Sequence, residues 1–149
     1  RELLSKNIVA NVEAGLNMSL LDGANAEKVW AKVYREFQKL FEKIDLLIVP
    51  GNAVPPFLVN EGIPKKINGK LMENYVDASL IRSIITLSGN PVIAIPSGLD
   101  HLGLPFGLQI VGKRHCDKNL LESASALQNF FKSKEKMKQP KPNIKELSK

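Results

Sequence analysis

Apolar residues recur at every fourth position from Leu4 through Ile8 and Val12 to Leu16, which keeps them on one face and predicts an amphipathic helix from about Glu2 to Leu16. Asp22-Gly23 predicts a break. Beyond it Val29, Trp30, Val33, Tyr34, Phe37, Leu40, Phe41 and Ile44 follow the helical period, with Lys28, Lys32, Glu36, Lys39 and Lys43 on the other faces. This is the strongest helical pattern in the chain. Leu46-Leu47-Ile48-Val49 is an unbroken apolar run, too short for a helix and closed by Pro50-Gly51, and it predicts a strand buried on both faces.

From Gly51 to Glu73 the composition turns to Pro55, Pro56, Gly62, Pro64 and Gly69 among scattered polar residues. That predicts a long connection without lasting regular structure, of the kind that often carries function or lies across a partner surface. Val76, Leu80, Ile81, Ile84, Ile85 and Ser88 restore the helical period, and Gly89-Asn90-Pro91 stops it with a residue that tolerates positive φ, followed by a proline. The runs Val92–Ile95 and Phe106–Val111 flank a turn-rich Ser97–Pro105 and read as neighbouring strands joined by an exposed loop. Asp117 is placed to cap a last helix carrying Leu120, Leu121, Ala124, Leu127 and Phe131. Helix followed directly by buried strand is the grammar of an α/β domain, so the expected fold class is α/β, with helices packed on part of a mixed β-sheet.

At 149 residues the chain has the size of one ordinary domain, and 44% hydrophobic with 24% charged residues is the profile of a folded protein. A net charge of +6 would suggest a nucleic-acid or membrane-surface partner if it were clustered on the fold. Seven lysines and two glutamates between Lys132 and Lys149 supply +5 of it, which leaves +1 spread over residues 1–131 without interleaved aromatics. The expected organisation is an α/β unit over 1–131 and a basic, flexible tail over 132–149, with neither nucleic acid nor membrane as partner. Apolar runs too short to span a bilayer, an Arg1-Glu2 start unlike a signal peptide, and a single cysteine, Cys116, point to the cytosol.

The order of the pieces is more distinctive than any one of them. Asp45-Leu-Leu-Ile-Val-Pro50, a long loop, a helix opened by Tyr75-x-Asp77, L-S-G-N-P-V-I-A-I-P-S-G from Leu87 to Gly98, and G-L-P-F-G-L-Q-I-V-G from Gly103 to Gly112 follow one another. This series resembles the C-terminal part of the amidase-signature family of carboxamide hydrolases. There a strand ending in proline is followed by an L-[AS]-G-x-P-x-[IV]-x-[IV]-P-x-G strand and a returning G-L-P-x-G-[LV]-Q-[IL]-[IV]-G strand. The resemblance runs from about Asn7 to Phe131 and covers only the end of the family's full sequence. Taken by themselves, Gly89, Pro91, Pro96, Gly98, Gly103 and Gly107 are scaffold residues, placed where strands start, stop or pass close to neighbours.

The resemblance implies a serine nucleophile activated through a second serine and a lysine base, a workable set because a desolvated lysine can take a proton from a hydroxyl. Those groups lie upstream in the family, and nothing in this chain matches their Gly- and Ser-rich signature, so no catalytic residue is assigned here. Ser97 with Asp100 and His101, and His115 with Cys116 and Asp117, are local clusters without a nucleophile context such as G-x-S-x-G, and read as loop and helix-start residues. Two histidines and one cysteine lack paired zinc-ligand spacing, and Gly98–Gly103 lacks the Gly-Lys-Ser/Thr of a phosphate loop, so neither metal nor cofactor is expected. In relatives that release ammonia from glutamine, an aspartate on the helix before L-[AS]-G-x-P holds the substrate's amino group. The matching position here is Ser79, which argues against a glutamine amidotransferase component, while Tyr75 and Asp77 resemble the general amidases, though the tryptophan that often follows that aspartate is Ala78.

The expectation is a fragment or separately encoded remnant of a cytosolic amidase for a small or aryl-substituted carboxamide. It would complete the central sheet and one wall of the substrate pocket beside the N-terminal amidase portion, or form a homo-oligomer. Ser79 and Ser83, four apart on one helix face, and Asn52, after the strand end at Pro50, are the pocket candidates. Solvent exposure or a local hydrogen bond is the plain alternative for all three. A non-catalytic amidase-like interaction module is the second class of reading.

Overall fold

Ser19 and Asp22 decide where the second helix begins. In the computed structural model, which describes residues 3–138 and 143–147, helix α1 spans Lys6–Leu16 and helix α2 spans Leu20–Leu40. The Asp22 carboxylate accepts from the Ser19 backbone N–H at 2.9 Å and from its hydroxyl at 2.7 Å, and the Ser19 hydroxyl accepts from the Asp22 N–H at 3.2 Å. This reciprocal cap satisfies donors that the first helical turn leaves without partners. Asp22-Gly23, expected as a break, is therefore the first turn of α2. The Ser19 side chain, and then its backbone amide, holds the Asp22 carboxyl below its usual range. With the folded value depressed, the cap supports the helix above the unfolded carboxylate range and loses that support as pH falls through the folded value.

The strands are β1 (Leu46–Pro50), the two-residue β2 (Lys66–Ile67) and β3 (Lys70–Leu71), β4 (Val92–Leu99) and β5 (Pro105–Gly112). β1, β5 and β4 lie in that order, with Leu46 opposite Gly112, Pro50 opposite Leu108 and Val92 opposite Val111. All pairings among the described residues are antiparallel. Ile110 and Val111, neighbours on the middle strand and both 0% exposed, point to opposite faces and anchor two apolar layers. On one face Ile95, Ile110, Leu120, Ala124 and Phe131 close around helix α5 (Asp117–Lys132); on the other Phe41, Ile85 and Val111 close under the end of α2. Burial on both faces, expected of β1, is found instead on β5, because β1 is an edge strand and its Ile48 stays 46% exposed.

The helix expected from Val76 to Ser88 is divided at Ser79 into α3 (Tyr75–Ala78) and α4 (Leu80–Ser88). Gly89 ends α4 with φ of 69°, the left-handed conformation expected of it. The elbow that follows is a buried polar joint. The Asn90 amide donates to the Gly112 carbonyl at 2.7 Å and its oxygen accepts from Gln38 at 3.3 Å, while the Ser88 hydroxyl donates to the Ile85 carbonyl at 2.6 Å and accepts from the Asn90 N–H at 3.2 Å. The Leu-Ser-Gly-Asn segment thus fastens α2, α4 and β5 together.

Three local expectations are corrected. The connection from Gly51 to Glu73 holds a small hairpin, β2–β3, turned by Asn68 and Gly69 at φ of 50° and 78°, for which the Asn-Gly pair is the signal in the sequence. The loop between β4 and β5 is shorter than Ser97–Pro105, since Leu99 still pairs with Pro105 and Asp100 Oδ1 accepts from the N–H groups of Leu102 and Leu104. Cys116, not Asp117, is the residue before α5; it makes no side-chain cap, and Asp117 sits in the first turn, where its charge suits the helix dipole.

After α5 the basic stretch begins as packed chain. A single turn at Glu135–Met137 places Met137 against the Ile95–Ile110 layer. A short helix, α6 (Ile144–Leu147), follows. Residues 1–2, at the start of the expected first helix, and 139–142 and 148–149, in the expected tail, lie outside the described residues.

Candidate functional site

Asn52 follows β1 at a point where the two preceding residues are pinned to β5. The Gly51 N–H donates to the Gly107 carbonyl at 2.9 Å, and the Gln109 amide donates to the Pro50 carbonyl at 3.1 Å. Asn52 thereby lines a cavity of about 520 Å³ with Pro50, Asp100, Pro105 and Phe106. Of Asp100's two oxygens, Oδ1 closes the β4–β5 hairpin and Oδ2 is buried without a hydrogen-bond partner. A second hollow of about 340 Å³ is lined by Ile67, Met72, Asp77, Leu80 and Ile81. Ala53 borders both. A further hollow of about 680 Å³ opens at the opposite end of β1 and β5, next to Leu46 and Gly112.

Ser79 and Ser83 line neither of the cavities beside Ala53. The Ser79 hydroxyl accepts from the Arg82 guanidinium at 2.9 Å, and the Ser83 hydroxyl donates to the Ser79 carbonyl at 3.3 Å. Both side chains are thus engaged in their own helix, the local bonding that serine offers. Tyr75 and Asp77 are also engaged: the Tyr75 hydroxyl accepts from the Asn11 amide at 2.6 Å and Asp77 accepts from the Glu73 N–H at 3.1 Å. The fold does not gather Asn52, Ser79 and Ser83 around one cavity. Asp100 borders the first of these two cavities and Lys70 and Asp77 border the second, and no sequence pattern marks them as pocket residues, because cavity lining depends on contacts between distant loops.

The Ser97, Asp100 and His101 cluster does not assemble a nucleophile with its base. Ser97 is 1% exposed and its hydroxyl faces the Ile95 carbonyl at 3.5 Å, whereas His101 is exposed and Asp100 is occupied by the hairpin. Among the described residues no three His, Cys, Asp or Glu side chains cluster as metal ligands, and no helix is long and apolar enough to cross a membrane.

An antiparallel sheet with helices on both faces and its strand-end loops around a cavity defines an α/β protein. The family profile described as Amidase matches residues 7–121, and the chain belongs to that family. It is 34% identical over 103 residues to a glutamyl-tRNA(Gln) amidotransferase component from Geotalea daltonii, covering 69% of this chain and 20% of the relative. A protein of the same name from Dehalococcoides mccartyi is 37% identical over 103 residues, again 69% of this chain and 20% of the relative. The chain therefore spans about a fifth of the length of these curated relatives. A bacterial aryl acylamidase of the amidase-signature family shares the fold with a TM-score of 0.76 at 23% identity, over 85% of this chain and 26% of that one. Another amidase structure superposes with the same TM-score at 22% identity, over 87% and 29%.

Proposed function

We propose that the chain is the C-terminal segment of a carboxamide-cleaving amidase, that it completes the central sheet, and that it supplies one wall of the substrate pocket through Asn52. The observation that carries this reading is the bare apolar side of the helical layer. Leu4, Ile8 and Val12 are about half exposed and Leu16 is 77% exposed, and neither α1 nor α2 contains a fully buried residue. Yet the spacing of these residues is that of a core-facing helix. β1 and β4 each have an outer edge without a partner strand among the described residues, a surface that sheets ordinarily cover or pair.

An amidase N-terminal portion carrying the family's two serines and lysine is the occupant that fits this surface, and the assembled enzyme would work in the cytosol. Ser79, uncharged and bonded to Arg82, supports a small or aryl-substituted carboxamide over a substrate that must be held by its ammonium group. Ser83 would act on the same helix as a support for Ser79.

Two measurements test the reading. The purified chain is expected to hydrolyse neither aliphatic nor aryl amides, since a pocket wall without nucleophile and base has no covalent route. Turnover that disappeared in Ser97→Ala would overturn this and make the buried serine the nucleophile. The same chain is expected to bind apolar dyes and to self-associate in light scattering. A monodisperse monomer that binds no dye would mark a self-sufficient interaction module instead.

A further inference from the structure

We propose that the cleft between the C-terminal end of α4 and the Trp30–Tyr34 face of α2 binds an aryl monocarboxylate. The cleft holds about 480 Å³ and is lined by Glu27, Trp30, Ala31, Tyr34, Leu87 and Arg114 with their neighbours. That is the size range of small-molecule sites. It lies near the Gly112 end of β5, while the Asn52 cavity lies at the other end.

Two side chains in it are held in place yet remain open to a ligand. The Trp30 indole N–H donates to the Leu87 carbonyl at 2.8 Å, which fixes the ring while leaving the residue 48% exposed. The Arg114 guanidinium lies over the Tyr34 ring, 5.1 Å from its centroid, and donates to the Tyr34 hydroxyl. Its remaining N–H donors have no partner among the described residues. A stacked guanidinium with free donors is suited to a carboxylate, and a fixed indole beside it is suited to the flat apolar body attached to that carboxylate. Ala31, small and between the two aromatic positions, leaves the space open.

Glu27 sets the limit at the other end. It sits on the same helix face as Tyr34, seven residues earlier, or roughly 10 Å along the axis, and has no ion-pair partner among the described residues. A second negative charge on the ligand would meet it, so the site selects a single carboxylate.

Trp30 is the chain's one tryptophan, so its emission reports directly from the cleft. The full chain is titrated with 3-phenylpropionate, with 3-phenylpropionamide and with benzene-1,4-diacetate. A saturable change is expected with the monocarboxylate, with the neutral amide and the dicarboxylate weaker by at least about tenfold. Arg114→Gln is expected to abolish the difference between acid and amide, and Glu27→Gln to restore binding of the dicarboxylate, with the circular dichroism spectrum unchanged. Equal binding of acid and amide by the unaltered chain, or no saturable response to the acid, would overturn the proposal. That comparison needs no substitution, so it decides the matter even if Arg114→Gln fails to fold.

Discussion

Chemical unfolding of Ile110→Ala is expected to show a loss of about 2–5 kcal/mol, the cost of truncating a buried isoleucine and leaving a cavity. Ile110 is 0% exposed at the centre of the sheet, paired laterally with Ile48 on β1 and Ile93 on β4, and covered by Leu120, Ala124 and Phe131. Closing the resulting void would require paired strands to approach α5 as a block, which backbone hydrogen bonding resists. Against a total stability of about 5–15 kcal/mol for an ordinary domain, the loss is large. Ile48→Ala is the control, because the same atoms leave a side chain that is 46% exposed and whose apolar contacts are correspondingly fewer. A loss at Ile110 no greater than that at Ile48 would show that β5 is not the centre of the core.

The second large effect is expected at Gly98. Its φ is +105°, a conformation that L side chains rarely adopt, and a Cβ there would stand 2.5 Å from the Lys136 carbonyl oxygen and 3.0 Å from the Met137 Cα. Both obstacles are backbone atoms, so no side-chain rotation relieves them. Gly98→Ala is expected to cost about 1–3 kcal/mol from the backbone conformation alone. It should also lift the Glu135–Met137 turn from the sheet and withdraw Met137 from the apolar layer. The two parts separate in a chain ended after Lys134, where the conformational cost remains and the collision is gone. Trypsin should cleave at Lys136 and Lys138 faster in Gly98→Ala than in the unaltered chain, because a displaced turn exposes its backbone. Equal cleavage rates, with equal costs in the full and shortened chains, would show that the turn does not depend on Gly98.

How far the sequence reaches can be judged at particular residues. The period of Leu120, Ala124 and Leu127 determined α5, the period of Val33, Phe37 and Phe41 determined the body of α2, and Gly89 determined where α4 stops. Each is a local requirement, an apolar face or a positive φ, that neighbouring residues satisfy by themselves. The ordered motifs from Leu87 to Gly112 carried the family. The same local rules did not separate Trp30 from Phe37, although one borders an open cleft and the other packs beside Phe41. Nor did they show that Asn52 shares a cavity with Asp100 while Ser79 and Ser83 turn to their own helix, or that Met137 returns to the sheet across Gly98. Periodicity states which face of an element is apolar. What covers that face, and which loop arrives beside which strand end, is decided by the order β1, β5, β4 and by helices packed from distant parts of the chain, since burial is a property of neighbours in space rather than in sequence.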